Sequence, residues 1–286
     1  MDFEKFSRKT AEAVDKELKI LLKKWRSDVL KIDKSLVSLV DQFTQANKGG
    51  KRIRGVLVVL GYELASVKGK AENVKLKNEI IKIAASYEIF HTAILAHDDI
   101  MDKSLTRRDQ PSLFQALGGD HRGTSLAITL ADAGFFLATK IMVESSFPEK
   151  KKNEALKYFS AVMLNTAMGQ ILDIELGDSI IVAKYKTAKY TISGPLVLGA
   201  TLAGLDPTSP RLRGVDKFGE NLGIAFQIQD DILDSEVDWL GGMDSAKKEA
   251  EKYKNKALKI LPQLTKDKEM SKLLQHLAKY LVERTK

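Results

Sequence analysis

Residues 80–102 read IIKIAASYEIFHTAILAHDDIMD, an apolar pattern that ends in three aspartates. One stripe recurs along it at steps of three and four residues: Ile80, Ala84, Tyr87, His91, Ile94, Asp98 and Asp102. These steps match the period of an α-helix, so the stripe occupies one helix face. The stretch therefore predicts a long helix whose apolar and aromatic wall leads to a carboxylate-rich end.

The acidic ending occurs twice in the chain. Asp98-Asp99-Ile100-Met101-Asp102 is matched 132 positions later by Asp230-Asp231-Ile232-Leu233-Asp234. Each residue of a helix advances by about 100°, so the first and last aspartates share a face and the middle one flanks them. We therefore expect three carboxylates of each motif to point the same way. Such a group repels itself and is costly to desolvate unless a hard divalent cation binds it. The alternative, a solvated acidic helix end, fits poorly with repetition in apolar surroundings.

Composition narrows the function classes. The chain has 286 residues, a net charge of +8, four His and no Cys, which excludes disulfides, thiolate metal sites and a cysteine nucleophile. The four His lack the spacing of zinc ligands. The positive excess is densest over 247–286, where Lys alternates with Leu and Ala at helical spacing, which indicates a solvated face. We predict no nucleic-acid partner and a cytoplasmic location.

Membrane and targeting segments are not expected. Acidic residues among the lysines of the first turns predict a first helix rather than a signal or transit peptide. The longest uncharged run, 190–205, is too short to span a bilayer and contains Gly194, Pro195 and Gly199. We therefore predict no transmembrane segment.

Helical periodicity dominates the chain, strand-like alternation is scarce, and only six Pro interrupt it. We predict an all-α helical bundle that forms one domain over 1–286, because no long linker separates its parts. The predicted helices cover 8–31, 34–47, 51–67, 75–102, 111–118, 122–146, 149–176, 184–204, 210–235 and two segments of the basic tail. The uniformly apolar stretches 123–142 and 158–172 are expected in the centre of the bundle.

Two basic motifs accompany the acidic ones. In Gly49-Gly50-Lys51-Arg52-Ile53-Arg54, glycines permit close backbone approach, and a helix N-terminus then presents amides and three cations to an anion. Arg107-Arg108 follows the first acidic motif after one turn or so. Cations beside metal-binding carboxylates predict a substrate with more than one phosphate.

These motifs together resemble the trans-isoprenyl diphosphate synthases of the polyprenyl synthetase family. In family order they are Gly49-Gly50-Lys51-Arg52-Ile53-Arg54, His91 with the first acidic motif, Arg107-Arg108, Gly169-Gln170 with Asp173, Lys186-Thr187, and Phe226-Gln227 leading to the second acidic motif. The resemblance spans residues 49–234. It implies an all-α bundle around a deep central cavity, usually a homodimer.

The resemblance also implies residue roles. Lys51, Arg54, His91 and Arg108 would bind isopentenyl diphosphate, and Arg107, Lys186, Thr187 and Gln227 would bind the allylic diphosphate. Asp98, Asp102, Asp230 and Asp234 would coordinate up to three Mg²⁺ ions, with Asp99 and Asp231 as secondary ligands. Gln170 and Asp173 would be supports. The reaction implied is ionisation of the allylic diphosphate, stabilised by metals and cations, followed by attack of the isopentenyl double bond.

Product length is predicted from the residues before the first acidic motif. Family members that stop at fifteen carbons tend to carry an aromatic residue four or five positions before it, where this chain has Ile94 and Ala93. Phe90 lies about 12 Å of helix rise below Asp98, and Tyr87 lies one turn further. Either side chain could be the cavity floor. A floor at that depth would leave room for a chain longer than fifteen carbons, and we predict a product of about twenty to twenty-five carbons.

The chain departs from the family pattern at two segments, near 177–181 and 235–240. Family members continue beyond the second motif through a lid loop with lysines, whereas here Ser235 to Leu240 runs directly into Gly241-Gly242. Either the lid segments are truly deleted, leaving a more open site, or mobile segments lie outside this sequence.

Two other functions remain open. A terpene cyclase shares an acidic motif but needs no second diphosphate site, so Lys51, Arg54 and His91 argue against it. A non-catalytic regulatory subunit of a heteromeric synthase could lose carboxylates, whereas both triplets are intact. The missing lid lysines keep the regulatory alternative open.

Overall fold

The computed structural model describes residues 2–66 and 74–283, and the predicted helix end at 67 and the last residues of the tail lie outside them. The α-helices are α1 Phe3–Leu30, α2 Leu36–Ala46, α3 Ile53–Ala65, α4 Val74–Met101, α5 Leu113–Ala116, α6 His121–Val143, α7 Glu149–Ile174, α8 Ser179–Val182, α9 Gly194–Ala203, α10 Pro210–Asp234, α11 Met243–Leu258, α12 Leu261–Leu264 and α13 Lys268–Val282. A π-helix covers Ala183–Ser193, a 3₁₀ turn covers Asp238–Leu240, and β1 Thr106–Arg107 pairs with β2 Gln110–Pro111 in an antiparallel hairpin. The all-α prediction is confirmed.

The described chain divides into two compact units. The first contains 1–10, 56–73 and 147–286, and the second contains 11–55 and 74–146, each within its described residues. The prediction of a single domain over 1–286 stays a prediction.

In the second unit, α4 packs along α6. Phe90 of α4 contacts Phe135 of α6 with ring centroids 4.5 Å apart, and a Cβ on Gly134 would lie 2.8 Å from the Phe43 ring. Helix α6 is long and apolar enough to cross a membrane. Core helices of soluble proteins meet the same two criteria, so α6 by itself is weak evidence for a membrane span.

In the first unit, the π-helix replaces the first half of the helix predicted over 184–204, so the predicted single α-helix is wrong there. The wider segment lies against glycines of its neighbours. A Cβ on Gly169 of α7 would be 2.3 Å from the Lys186 amide nitrogen, and one on Gly223 of α10 would be 2.5 Å from Ala188 Cα. Single-turn π segments occur frequently at functional sites. The π-helix here is longer, with eleven residues.

The two short segments are closed by local hydrogen bonds. The Gly177 amide donates to Leu172 O at 2.7 Å, and the Asp178 side chain accepts from the Ile181 amide at 3.0 Å. Ser235, at φ 64°, ends α10, and the Glu236 amide donates to Asp231 O at 2.8 Å. Each connection is therefore a compact turn in the described chain.

Candidate active site

Both acidic motifs lie at helix C-termini. Helix α4 ends at Met101, directly before Asp102, and α10 ends at Asp234. The C-terminal end of a helix carries the negative pole of its macrodipole, which adds to the repulsion among the carboxylates. A bound cation would relieve both costs, which is the electrostatic reason to assign a cation site to each end.

In the first motif, Arg107 holds the middle aspartate. Its Nε and Nη2 both lie 2.6 Å from Asp99 Oδ1, and Nη2 lies 3.5 Å from Asp98 Oδ2. Burial raises the pKa of Asp99, and the Arg107 guanidinium opposes that shift. The hairpin that carries Arg107 therefore anchors to the end of α4.

In the second motif, the middle aspartate is held by neutral donors. Gln227 Nε2 donates to Asp231 Oδ1 at 2.7 Å, and Trp239 Nε1 donates to Asp231 Oδ2 at 3.2 Å. Burial raises the pKa of Asp231, and the two hydrogen bonds oppose that rise. Trp239 comes from the short segment after the motif, and the sequence analysis missed it.

The expectation that the three carboxylates of each motif point the same way stays a prediction. Arg107 binds Asp99 and the Gln227–Trp239 pair binds Asp231, and among the described residues no three His, Asp or Glu side chains are grouped so that they could hold a metal. The outer aspartates of the two motifs, Asp98 and Asp102 or Asp230 and Asp234, could each supply carboxylate oxygens to a cation. One or two carboxylates completed by substrate phosphates is the donor set that suits Mg²⁺.

The basic loop and α4 come together in the second unit. Arg54 Nη1 lies 3.1 Å from His91 Nε2, and Arg108 Nη1 donates to Lys48 O at 3.1 Å and Gly49 O at 3.3 Å. Gly50 has φ 83°, and a Cβ there would lie 2.9 Å from Arg108 Nη2. A glycine is therefore required at this turn for Arg108 to reach the loop.

One of the three expected cations points inward. Arg52 Nε lies 2.8 Å from Asp15 Oδ1, and its Nη1 lies 3.8 Å from Glu88 Oε2, with the Arg52 side chain 6% exposed. Glu88 Oε1 also accepts from the Gly55 amide at 2.8 Å. Arg52 and Glu88 thus fix the start of α3, and only Lys51 and Arg54 remain from that motif to bind an anion.

In the first unit, Lys186 of the π-helix lies 2.5 Å from Asp173 Oδ2 of α7. Gly169, four residues before Asp173, permits the close approach of the two helices described above. Thr187 follows on the same π-helix, and both side chains are partly exposed. Gly169, Asp173 and Lys186, which belong to successive motifs of the resemblance, therefore lie together, and the roles assigned to them stay predictions.

A polar network that the sequence analysis missed supports the same π-helix. Lys189 Nζ lies 2.9 Å from Asp216 Oδ1 and 2.7 Å from Glu220 Oε2, while Tyr158 OH donates to Asp216 at 3.0 Å and Ser193 Oγ donates to it as well. Burial disfavours the charged carboxylate, but Lys189 and the hydroxyl donors outweigh it and hold the pKa of Asp216 below its usual range. Isolated Lys and Asp residues in a sequence carry no signal for such pairing.

The four residues assigned to product length lie on α4. Tyr87 and Ala93 are fully buried, Phe90 is buried against Phe135, and Ile94 is partly exposed. Their roles stay predictions.

His91 gives a prediction for stability. Burial and the charges of Arg54 and Arg108 hold the pKa of His91 well below 6.5. As pH falls below about 6.5, the unfolded chain takes up a proton that folded His91 resists. The free energy of unfolding should therefore fall by about 1.4 kcal/mol per pH unit from this residue until its folded pKa is reached. Denaturant unfolding of the native chain and of His91→Gln at pH 7, 6 and 5 measures the difference.

The matched control for that experiment is His121→Gln, at the exposed start of α6. Subtracting the His91→Gln curve from the native curve isolates the contribution of His91. Parallel pH profiles for the native chain and His91→Gln would show that His91 protonates as readily in the folded state as in the unfolded one.

The fold and the two helix-end motifs define an all-α protein with acidic and basic groups suited to phosphorylated substrates. The polyprenyl synthetase family model matches residues 34–277. The chain belongs to the polyprenyl synthetase family, and the resemblance stated from the sequence is confirmed.

Named relatives agree with this family. The chain is 30% identical over 219 residues to a short chain isoprenyl diphosphate synthase of Methanocaldococcus jannaschii, covering 71% of this chain and 62% of that protein. It is 30% identical over 196 residues to a geranylgeranyl diphosphate synthase of Sulfolobus acidocaldarius, covering 65% of this chain and 54% of that protein. The chain therefore matches less than two thirds of the length of these relatives.

Solved structures show the same fold. A geranylgeranyl pyrophosphate synthase from Corynebacterium glutamicum, complexed with isoprenyl diphosphate and magnesium, has a TM-score of 0.83 at 23% identity, covering 99% of this chain and 100% of that one. A geranyltransferase from Helicobacter pylori has a TM-score of 0.75 at 25% identity, covering 86% of this chain and 88% of that one.

Proposed function

We propose that this protein is a trans-prenyltransferase that condenses isopentenyl diphosphate with an allylic diphosphate to give a linear all-trans prenyl diphosphate. The observation that carries the proposal is the basic cluster beside the first acidic motif: Arg54 contacts His91, Arg108 reaches the Gly49–Gly50 loop, and Arg107 contacts Asp98 and Asp99. Charged groups that bind a second diphosphate distinguish a condensing enzyme from one that only ionises a single substrate.

The resemblance to the family implies two substrate sites. Lys51, Arg54, His91 and Arg108 would bind isopentenyl diphosphate, and neutral His91 would donate or accept a hydrogen bond without adding charge. Lys186, Thr187, Gln227 and Arg107 would bind the allylic diphosphate. Before substrate binds, Asp173 holds Lys186 and Asp99 holds Arg107, so both cations are already positioned on partners they can exchange for phosphate oxygens.

Asp98, Asp102, Asp230 and Asp234 would hold up to three Mg²⁺ ions. Bound Mg²⁺ would supply charge neutralisation of the departing diphosphate. The chain's own groups would contribute the rest: Arg107 and Lys186 would each bring positive charge to a departing diphosphate, and the apolar residues of α4 below Asp98 would exclude the water that quenches a carbocation.

Incubation with isopentenyl diphosphate, Mg²⁺ and each allylic primer in turn, followed by sizing of the products, tests the proposed function. Products that grow in five-carbon steps are expected. One observation favours the alternative of a non-catalytic regulatory subunit: Trp239 donates a hydrogen bond to Asp231 from a segment that lacks the lid lysines. Failure to elongate any primer would favour that alternative, and a cyclic product would favour a terpene cyclase.

We propose a product of about twenty to twenty-five carbons, with Phe90 or Tyr87 as the floor of the cavity below Asp98. Replacing Phe90 by Ala removes a ring that packs on Phe135. If Phe90 is the floor, the variant should make products at least one five-carbon unit longer, as measured by chromatography of the dephosphorylated products.

Phe114→Ala is the matched control for product length, because Phe114 is also buried in the same unit but lies on α5. It should leave the product length unchanged. An unchanged product from Phe90→Ala would remove Phe90 as the stop and leave Tyr87.

We also propose that the protein is a homodimer. The support is an exposed apolar stripe on α6, where Ile128, Phe136 and Val143 recur at intervals of seven or eight residues and Phe136 is 76% exposed. Spacing of two turns places these side chains on one face, which is the pattern of a helix covered by a partner.

A further inference from the structure

Helix α10 packs on the π-helix along one face. That face consists of residues at i, i+3, i+4 and i+7, namely Asp216, Gly219, Glu220 and Gly223. A Cβ on Gly219 would lie 2.5 Å from Ser193 Cα, so the two backbones touch there, and the approach at Gly223 is equally close. Glu220 therefore lies between two points where the backbones of α10 and the π-helix meet.

Glu220 binds two lysines of the π-helix at once. Its Oε1 lies 3.0 Å from Lys184 Nζ, and its Oε2 lies 2.7 Å from Lys189 Nζ. The three side chains are only 13–33% exposed, so solvent screens these ion pairs less than pairs on an open surface. Burial disfavours the ammonium of Lys189, but Asp216 and Glu220 outweigh it and raise the pKa of Lys189. Lys189 is therefore charged, and it shares one carboxylate with Lys184.

The spacing of the two lysines links this carboxylate to the winding of the segment. Lys184 and Lys189 are five residues apart. In a π-helix the hydrogen bonds join residues five apart, so side chains at this spacing lie on the same side. In an α-helix each residue advances by about 100°, which would set the two lysines about 140° apart. A carboxylate that binds both lysines therefore favours the π winding over the α winding.

The winding also determines where Lys186 points. Lys186 lies between the two lysines in the sequence, and its Nζ lies 2.5 Å from Asp173 Oδ2 of α7. If residues 183–193 wound as an α-helix, the angle between Lys186 and each of the other two lysines would change. Lys184 and Lys189 could then no longer face α10 while Lys186 faces Asp173. The contact of Lys186 with α7 thus depends on the same winding that Glu220 favours.

We propose that Glu220 is a positioning residue: by binding Lys184 and Lys189 together, it holds the π winding that directs Lys186 to the allylic diphosphate. Glu220 acts through the two lysines and needs no contact with a substrate. The inference rests on the proposed function, which assigns Lys186 to that diphosphate, and it adds what keeps Lys186 in place. If the two ion pairs only stabilised the fold, their loss would not weaken the binding of one substrate more than that of the other.

The test is calorimetric titration of the purified full chain, in buffer with Mg²⁺, with either geranyl diphosphate or isopentenyl diphosphate alone. Prenyl transfer needs both compounds, so each dissociation constant is measured without it. Glu220→Gln keeps the size of the side chain but leaves one acceptor oxygen and no charge. It should weaken the binding of geranyl diphosphate about tenfold, because a displaced Lys186 loses a charged hydrogen bond. The binding of isopentenyl diphosphate, whose assigned residues lie in the second unit, should stay within about threefold of native.

Glu249→Gln is the matched control. Glu249 lies on α11 in the same unit and binds Lys252 Nζ at 2.7 Å, and its side chain is 27% exposed against 23% for Glu220. The substitution removes an ion pair of the same kind that does not involve the π-helix. Both dissociation constants should stay at their native values.

A second pair of variants changes the other end of the ion pair. Lys184→Met removes the charge and keeps the length of the side chain, whereas Lys184→Arg keeps the charge. Lys184→Met should weaken the binding of geranyl diphosphate as Glu220→Gln does, and Lys184→Arg should bind it with nearly native affinity. Without ligand, amide hydrogen exchange over 183–193 should be faster in Glu220→Gln and Lys184→Met than in the native chain and Lys184→Arg.

Weaker binding of geranyl diphosphate alone, together with native affinity in Lys184→Arg, would support the proposal. Native affinity in Glu220→Gln would overturn it, as would an equal loss for both ligands or a native chain that does not bind geranyl diphosphate saturably. If Glu220→Gln fails to fold by circular dichroism, the two Lys184 variants decide by the same comparison. A native chain that binds geranyl diphosphate but elongates no primer would contradict the proposed function and leave the positioning role of Glu220 standing.

Discussion

Asp98→Asn should lower the rate of prenyl transfer about 10³-fold at saturating substrates, the range for removing one group that stabilises a developing charge. Asn keeps the shape of Asp but removes the charge that a divalent cation needs. Asp98 lies in the last turn of α4, three residues before its end at Met101, where the negative pole of the helix favours a bound cation, and Arg107 Nη2 lies 3.5 Å from Asp98 Oδ2. Initial rates of product formation measure the loss.

The control for this variant is Asp41→Asn, an exposed aspartate of the same unit that pairs with Arg26. It should keep the native rate. Addition of Mg²⁺ should raise the melting temperature of the native chain and of Asp41→Asn more than that of Asp98→Asn, because a ligand stabilises the state that binds it. A rate for Asp98→Asn within about threefold of native, which is less than 1 kcal/mol, would remove Asp98 from the metal site.

The sequence predicted what depends on local pattern. The stripe from Ile80 to Asp98 lies within α4, with Asp102 directly after it, and α4 and α10 end at the acidic motifs. Arg54 and His91, assigned to one site through the resemblance, are in contact. Helical periodicity and a shared motif order suffice for these features, because each is encoded within a few turns of chain.

Features that depend on distant partners were missed. Arg52 looks the same as Arg54 in the sequence, yet Asp15 and Glu88 draw it inward. The middle aspartates are bound by partners outside their motifs, Asp99 by Arg107 and Asp231 by Trp239. Ion pairs and hydrogen bonds to residues outside a motif leave no periodic trace, so pattern analysis could not identify these partners.

The π-helix shows the same limit for backbone geometry. Residues 183–193 carry apolar positions that fit an ordinary helix, so the sequence predicted one. The wider winding is stabilised from outside, by glycines of α7 and α10 and by the Asp216–Lys189 pair. The glycine of Gly169-Gln170 was recognised as part of a motif, but its physical role is visible only where the helices meet.

Gly169→Ala should therefore damage stability and activity together. The new Cβ would lie 2.3 Å from the Lys186 amide nitrogen and 2.7 Å from the Tyr185 carbonyl carbon, and backbone atoms cannot rotate away as a side chain can. The π-helix must shift, which should lower the free energy of unfolding by about 3 kcal/mol. Lys186 would move with it relative to Asp173, and a displacement of about 1 Å can cost about 10²-fold in rate. Denaturant midpoints and initial rates measure the two effects.

Gly214→Ala separates this effect from the general consequence of adding a methyl group to a helical glycine. The nearest atom to a Cβ there is Leu264 Cδ2 at 2.9 Å, the end of a side chain that can rotate, and the gain in helix propensity is about 1 kcal/mol. That variant should unfold within about 1 kcal/mol of native and keep its rate. If Gly169→Ala behaved like Gly214→Ala, close packing at Gly169 would not position Lys186, and the assignment of Lys186 to the allylic diphosphate would lose its structural basis.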